Sequence, residues 1–244
     1  MQLQLYSSII KNKSGGKKQF AVLIDPDKFE STEVIDLAEE ANVDFLMLGG
    51  SILTNGNFEK CVEIIKQKTK IPLVIFPGNS LQVSKNADGI LLLSLISGRN
   101  PEMLIGNHVI AAPALKASGL EILPTGYMLI ESGKQTAALY MSNTTPIPHQ
   151  KDDIAMCTAM AGEMLGLKLI YMDAGSGAEH CVGASMIEKV SKNISIPLII
   201  GGGINSVEKA GTACKAGADI IVVGNAIEKD KSLLKEIAAA IHSF

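Results

Sequence analysis

The stretch Leu167-Lys168-Leu169-Ile170-Tyr171-Met172-Asp173-Ala174-Gly175-Ser176-Gly177 decides the fold. Its apolar first part is typical of a buried strand. Asp173 comes at the carboxyl end of that strand, and two glycines then flank Ser176. Glycine lets backbone N–H groups turn outward and approach an anion such as phosphate. The stretch therefore suggests a site that binds a phosphorylated molecule and removes a proton from it. A glycine-rich turn with a solvated aspartate explains it equally well.

Outward from this stretch, eight apolar segments alternate with helical patterns. The predicted strands cover residues 20–24, 43–48, 71–76, 89–93, 122–130, 168–172, 197–200 and 219–223. Continuous apolar strands are typical of a parallel sheet that is covered on both faces. With 244 residues, they predict one domain, residues 1–244, folded as a (β/α)₈ TIM barrel with a reduced third helix. A doubly wound sheet is the alternative, but no G-x-G-x-x-G follows an early strand.

Finer predictions concern the segments between the strands. Pro113 bends or ends a helix over residues 101–115, and Pro124 breaks the fifth strand. Residues 135–141 return as a hairpin strand after a turn. Asn205 caps the helix that follows the seventh strand. The lysine-rich segment 11–18 forms a solvated turn.

The composition excludes several classes of protein. A net charge of −3, 4% aromatic residues and the absence of Trp argue against a nucleic-acid partner. No apolar run reaches the roughly 18 residues of a transmembrane helix. The four cysteines are widely spaced without a C-x-x-C pair, which predicts a protein of the reducing cytoplasm.

Polar and glycine residues follow most of the predicted strands. In a TIM barrel the carboxyl ends of all strands face one rim, and the loops after strands 7 and 8 commonly bind phosphate. This rim would hold Asp25, Ser51, Asn79, Asp173, Gly202, Gly203, Gly224 and Asn225. Because Gly175 and Gly177 join the glycines after strands 7 and 8, the coincidence predicts a phosphorylated substrate better than tight turns alone.

Asp25 and Ser51 would lie across the mouth from these glycines. One carboxylate and one hydroxyl form a sparse metal site, which suits Mg²⁺ because this ion keeps waters and takes ligands from substrate phosphates. Capping of local turns is the simpler explanation of both residues. Aliphatic and small residues over 91–96 and 103–123 fit either the barrel core or an apolar groove.

Taken together, several segments resemble a known family. They are Ile24-Asp25-Pro26-Asp27-Lys28, Gly49-Gly50-Ser51, Phe76-Pro77-Gly78-Asn79, Tyr171 through Gly177, Gly201-Gly202-Gly203-Ile204 and Gly224-Asn225, in this order. The chain resembles the geranylgeranylglyceryl phosphate synthases, a family that includes bacterial heptaprenylglyceryl phosphate synthases. The resemblance implies a prenyltransferase of ether-lipid synthesis. Such an enzyme joins sn-glycerol 1-phosphate to a long polyprenyl diphosphate, here expected to be geranylgeranyl diphosphate, and releases diphosphate.

The resemblance also implies roles for individual residues. Asp25 and Ser51 would hold Mg²⁺, and Asp173 would accept the proton of the attacking hydroxyl. The glycerol phosphate would be bound by Tyr171, Met172, Asp173, Ala174, Gly175, Ser176, Gly177, Gly202, Gly203, Gly224 and Asn225. The family often has glutamate where this chain has Asp173, which is one methylene shorter.

The expected partners are the two substrates, a second copy of the chain in a homo-oligomer (dimer or hexamer), and a membrane surface that transiently receives the lipid product. Without the resemblance, two alternatives stay open. One is another phosphate-binding TIM barrel, such as a sugar-phosphate isomerase or an FMN-dependent enzyme. The other is a non-catalytic phosphate-binding module.

Overall fold

The computed structural model describes residues 5–55 and 57–244. Its elements are α1 Leu5–Ser14, β1 Gln19–Ile24, α2 Glu33–Glu40, β2 Phe45–Leu48, α3 Phe58–Lys68, β3 Leu73–Ile75, β4 Gly89–Leu95, α4 Asn107–Ser118, β5 Glu121–Leu129, α5 Ala137–Ser142, α6 Asp152–Met164, β6 Leu169–Asp173, α7 Ala184–Ser191, β7 Leu198–Gly201, α8 Val207–Lys215, β8 Ile220–Val223, α9 Asn225–Lys229 and α10 Leu233–His242. A 3₁₀ turn, Pro26–Lys28, follows β1, and a π-helical segment, Glu102–Gly106, precedes α4. The predicted domain, 1–244, includes residues 1–4 and 56, which lie outside the described part, so its limits stay a prediction.

The eight strands form a closed parallel barrel in chain order, and β1 pairs with both β2 and β8. The predicted TIM barrel is therefore confirmed. Successive strand side chains point to opposite faces, so each strand contributes to two cores. On β6, Leu169 and Tyr171 belong to the core inside the barrel, whereas Ile170 and Met172 pack under the surrounding helices. The same alternation turns Asp173 inward.

The third helix of the barrel is reduced as predicted, and residues 76–88 contain only turns and irregular backbone. The outer face of β4 therefore lacks the helix that would normally cover it from that side. Ile90 and Leu92 on this face meet Ala111 and Leu115 of α4. They form the walls of an apolar groove that opens toward the barrel mouth.

The amino end of the barrel is closed by α1, where the sequence predicted only a solvated turn over residues 11–18. Leu5 and Ile9 of this helix are buried in the inner core. Glu121 accepts hydrogen bonds from the backbone N–H groups of Leu5 and Tyr6, at 2.6 and 2.8 Å. These bonds satisfy donors that the first turn of a helix leaves unpaired.

The prediction of a hairpin strand over residues 135–141 is wrong, because most of this segment belongs to the helix α5. Thr136 caps the helix by accepting a hydrogen bond from Leu139 N–H, and Ala138 and Leu139 pack against the inner core. The burial of one face of α5 therefore stabilises a helix, although the short alternation of polar and apolar residues is typical of a strand.

The predictions for Pro124 and Asn205 are also wrong, and α4 does not end at Pro113. β5 continues through Pro124, whose carbonyl still accepts a hydrogen bond from Lys168 N–H at 2.8 Å. α4 continues through Pro113, an exposed residue where water can replace the lost backbone bond. Ser206, not Asn205, caps α8 by accepting from Lys209 N–H.

Candidate functional site

All but two of the predicted site residues surround one cavity of about 520 Å³ at the carboxyl ends of the strands. Its lining includes Asp25, Ser51, Tyr171, Asp173, Gly175, Ser176, Gly177, Gly202, Gly203, Gly224 and Asn225. Met172 and Ala174 are not part of this lining. Both are buried in the outer core, because their side chains alternate with those of Tyr171 and Asp173. Any contact of these two residues with a substrate would have to come from their backbone.

Asp173 lines the cavity and is almost fully buried, with 7% of its surface exposed. The Tyr127 hydroxyl donates a hydrogen bond to its Oδ2 at 2.6 Å, and the Gly175 N–H donates to its Oδ1 at 2.6 Å. Burial raises the pKa of Asp173 above its ordinary value, although both hydrogen bonds act to lower it. The side chain is thus held rigidly and binds a proton more readily than a solvated aspartate.

An aromatic cluster supports Asp173 from inside the barrel. The Phe76 ring stacks on Tyr171 with 5.3 Å between centroids, and Tyr127 meets both rings edge-on. Burial, followed by the Asp173 charge, raises the pKa of Tyr127 well above 10, so its hydroxyl stays a hydrogen-bond donor. The sequence analysis missed Tyr127 as a site residue. Tyr127 pairs with Tyr171 in the register of the parallel strands β5 and β6. An alignment of these two strands would therefore have placed Tyr127 near Asp173.

The glycine loops after β6 and β7 approach each other too closely for side chains. Gly202 has a φ of +78°, and a Cβ atom there would lie 2.4 Å from Gly175 N and 2.6 Å from Asp173 Oδ1. Only glycine allows this backbone to pack against both the carboxylate and the loop. The N–H groups of Gly202 and Gly203 have no acceptor among the described residues, which suits an anion.

Asn225 connects the loop after β8 to the loop after β6. In the amide orientation that satisfies its neighbours, its oxygen accepts from Gly177 N–H at 3.1 Å and from the Ser176 hydroxyl at 2.9 Å. Its amide nitrogen donates to Glu228 Oε2 at 2.9 Å. The three glycine-containing strand ends therefore form one continuous polar wall.

Asp25 and Ser51 form a second wall of the cavity, after the neighbouring strands β1 and β2. Asp25 Oδ1 accepts from Asp27 N–H at 3.1 Å, so the carboxylate caps its own turn, and it also lies close to the Gly50 backbone. Both side chains offer the oxygen ligands that Mg²⁺ prefers. No group of three His, Cys, Asp or Glu side chains within residues 5–55 and 57–244 could hold a metal ion. Asp25 and Ser51 would therefore supply two ligands of a Mg²⁺ ion, and water and substrate phosphate oxygens would supply the remaining ligands.

Gln82 holds the loops of this wall and was not predicted as a functional residue. Its side chain is 2% exposed. Its Nε2 donates to the Gly50 carbonyl at 3.1 Å, and Gly78 N–H donates to its Oε1 at 3.1 Å. One buried amide thus fixes the loops after β2 and β3 relative to each other and keeps Ser51 in place.

The apolar groove continues from this wall between β4 and α4. His108 lines this groove, and its Nε2 lies 3.2 Å from the hydroxyl oxygen of Ser94. Burial lowers the pKa of His108, so the ring is neutral at physiological pH. Of the two interpretations left open for residues 91–96 and 103–123, the structure supports an apolar groove beside the core.

Within the described residues, no helix is long and apolar enough to span a bilayer.

Comparisons with known proteins agree with this geometry. A family model described as the PcrB family matches residues 10–241. The chain is similar to a geranylgeranylglyceryl phosphate synthase of Chitinophaga pinensis, with 56% identity over 246 residues that cover 100% of this chain and 98% of the relative. A relative of the same name from Spirosoma linguale is 53% identical and covers 95% of this chain and 94% of its own.

A solved structure shares the whole architecture. It is (S)-3-O-geranylgeranylglyceryl phosphate synthase from Thermoplasma acidophilum, in complex with its substrate sn-glycerol-1-phosphate. The two chains superpose with a TM-score of 0.91 at 30% identity, over 99% of this chain and 100% of the other.

Proposed function

Because this chain belongs to the PcrB family, and because its relatives within it are named geranylgeranylglyceryl phosphate synthase, we propose that it catalyses the same prenyl transfer. The acceptor is sn-glycerol 1-phosphate, and the donor is geranylgeranyl diphosphate. The observation that carries this proposal is the meeting of three features in one cavity. They are a glycine wall for a phosphate, a buried carboxylate, and an apolar groove. Family membership argues against an isomerase, an FMN enzyme or a non-catalytic module.

The glycine wall binds the phosphate of the acceptor. The backbone N–H groups of Gly202 and Gly203 have no acceptor within the described part of the chain, and Ser176 and Asn225 add side-chain polar groups. Holding the phosphate there places the glycerol end toward Asp173, which lies next to Gly175 and Gly202. Fixing the acceptor in this way replaces an encounter in solution by an oriented reaction.

Asp173 acts as the general base. The C3 hydroxyl oxygen of glycerol phosphate forms a bond to C1 of the prenyl chain, the bond from C1 to the diphosphate oxygen breaks, and diphosphate leaves. The hydroxyl proton goes to Asp173. Tyr127 and Gly175 orient the carboxylate, and the raised pKa of Asp173 improves its match to a base that must hold a proton.

The groove between β4 and α4 binds the prenyl chain. Its walls, Ile90, Leu92, Ala111 and Leu115, are aliphatic, and each buried CH₂ group is worth about 0.8 kcal/mol. The tail therefore needs no polar contacts to be bound tightly, and the diphosphate end is directed to Asp25 and Ser51 at the mouth.

We propose Mg²⁺ as the cofactor, held by Asp25 and Ser51, where it would neutralise part of the negative charge of the diphosphate. Asp25→Ala should therefore reduce kcat/KM at least about 100-fold, or about 2.7 kcal/mol, without unfolding the barrel. Steady-state rates across a Mg²⁺ titration measure this. Near-normal turnover of the variant, or full activity of the native protein in excess chelator, would refute the metal site.

The cellular setting is also a proposal. The enzyme acts in the cytoplasm as a homo-oligomer, a dimer or a hexamer, and contacts a membrane transiently to deliver its lipid product. The exposed aliphatic surface of α4 supports self-association, since Val109 and Ile110 are each 67% exposed.

Product formation tests the function directly. The protein is incubated with labelled sn-glycerol 1-phosphate, Mg²⁺ and a series of C15 to C35 prenyl diphosphates, and the ether lipid and released diphosphate are quantified. The expected result is transfer from the C20 donor with stoichiometric diphosphate release. Release of diphosphate without an ether product, or no turnover of any donor, would contradict the proposed reaction.

A further inference from the structure

Lys28 ends the Asp25-Pro26-Asp27-Lys28 segment and has no role in the site described so far. It belongs to the cavity lining. Its Nζ lies 2.9 Å from Glu228 Oε2 and 3.3 Å from Asp25 Oδ2. The side chain is therefore a fixed positive charge between the two polar walls.

The charges of the cavity lining show why such a cation is needed. Three carboxylates, of Asp25, Asp173 and Glu228, line the cavity, whereas its only lysines among the described residues are Lys28 and Lys229. A prenyl diphosphate brings about three further negative charges, and glycerol phosphate about two. One divalent ion cannot balance this excess, so a protein cation next to the leaving group would lower the cost of binding both substrates.

The position of Lys28 indicates which substrate it serves. Glu228 Oε2 lies 2.9 Å from Lys28 Nζ and also 2.9 Å from the Asn225 amide, so this carboxylate offsets the Lys28 charge on the side of the glycine wall, where Nζ lies 3.4 Å from the Asn225 side chain. On its other side Lys28 adjoins Asp25, and an anion held beside Asp25 lies within its reach. A purely structural ion pair would contribute little here, because the Lys28 side chain is 52% exposed.

We propose that Lys28 binds the diphosphate group of the prenyl donor and neutralises it as it leaves. The inference rests on the proposed function and adds a substrate-binding residue to it. Lys28 exchanges part of its contact with Asp25 for the diphosphate oxygens, while Glu228, which also carries a negative charge, competes with the diphosphate for the ammonium.

Binding of inorganic pyrophosphate, measured by calorimetry with and without Mg²⁺, tests this directly. Lys28→Met should weaken pyrophosphate binding by about tenfold or more, since hydrogen bonds to charged groups are among the stronger ones. Its affinity for sn-glycerol 1-phosphate should change little, and Lys28→Arg should retain most of the pyrophosphate affinity. Lys189→Met, in the last turn of α7, is the matched control for loss of one surface charge.

Glu228→Gln separates ligand binding from a structural role. If Lys28 binds the diphosphate, this variant should bind pyrophosphate as tightly as the native protein or more tightly. Equal weakening in Lys28→Met and Glu228→Gln, an equal effect of Lys229→Met, or native affinity in Lys28→Met would each overturn the inference. If the native protein makes no ether product, the proposed function fails. If product forms but pyrophosphate affinity is independent of Lys28, only this inference fails.

Discussion

At the scale of single residues, Asp173 has the most demanding role. Its carboxylate accepts hydrogen bonds from Tyr127 and Gly175 at 2.6 Å each, and one face remains open to the cavity. Asp173→Asn preserves size and packing but removes the base. Since general-base catalysis contributes about 10²–10⁴-fold, kcat should fall within that range, while KM for glycerol phosphate stays nearly constant.

Single-turnover rates across pH distinguish this role from simple orientation of the acceptor. In the native protein, the rate should decline as pH falls and Asp173 becomes protonated, and this limb should vanish in Asp173→Asn. If solvent takes the proton instead, both proteins will show the same pH profile and similar rates.

Asp173 should also lower the free energy of unfolding at neutral pH. Burial raises the pKa of Asp173 in the folded state above its unfolded value of about 3.9, so the folded chain binds this proton more tightly. The free energy of unfolding therefore falls as pH rises from the unfolded pKa through the folded pKa. Asp173→Asn should raise the melting temperature by a few degrees at pH 7 and have little effect below pH 4. Thermal unfolding at both pH values measures this, and a lower melting temperature at pH 7 would contradict it.

At the scale of secondary-structure elements, the loops after β2 and β3 depend on Gln82. Gln82→Met removes the hydrogen-bond partners of the Gly50 carbonyl and the Gly78 N–H, at a cost of about 0.5–1.5 kcal/mol for each lost bond. Because these loops carry Ser51, KM for the prenyl donor should rise more than KM for glycerol phosphate.

Gln67→Met, on the exposed side of α3, provides the matched control for this variant. Denaturant unfolding and substrate-specific kinetics are measured for both. Equal changes in the two KM values would show that Gln82 supports the fold generally and does not position the donor wall.

At the scale of the whole molecule, an apolar surface on and before α4 predicts self-association. Ile105, Val109 and Ile110 are 60%, 67% and 67% exposed, and Ile105 and Val109, four residues apart, lie on the same side of the helical segment. Native protein should sediment as a dimer or hexamer. The double variant Val109→Asp, Ile110→Asp should shift it to a smaller species, whereas Met164→Asp at the end of α6, a residue 79% exposed, serves as the comparison. A native monomer at micromolar concentration would disprove the prediction.

The amino-acid sequence by itself determined the barrel and the character of its phosphate wall. Continuous apolar runs specify buried parallel strands, and glycines at strand ends specify where backbone can approach an anion. Both are local properties, because they depend on hydrophobic periodicity and on the allowed backbone angles of single residues. For the same reason Asp25, Asp173 and Gly202 could be assigned to one rim before any contact was known.

Only the tertiary structure decided which side chains meet across that rim. Tyr127 reaches Asp173 through the register of β5 and β6, and Gln82 reaches Gly50 through the turns that replace a helix. The helix α5 is stabilised by burial of one face against the inner core, so its short sequence could not distinguish it from a strand. These features depend on how distant segments pack, and packing energy is determined by the assembled barrel and not by local preference.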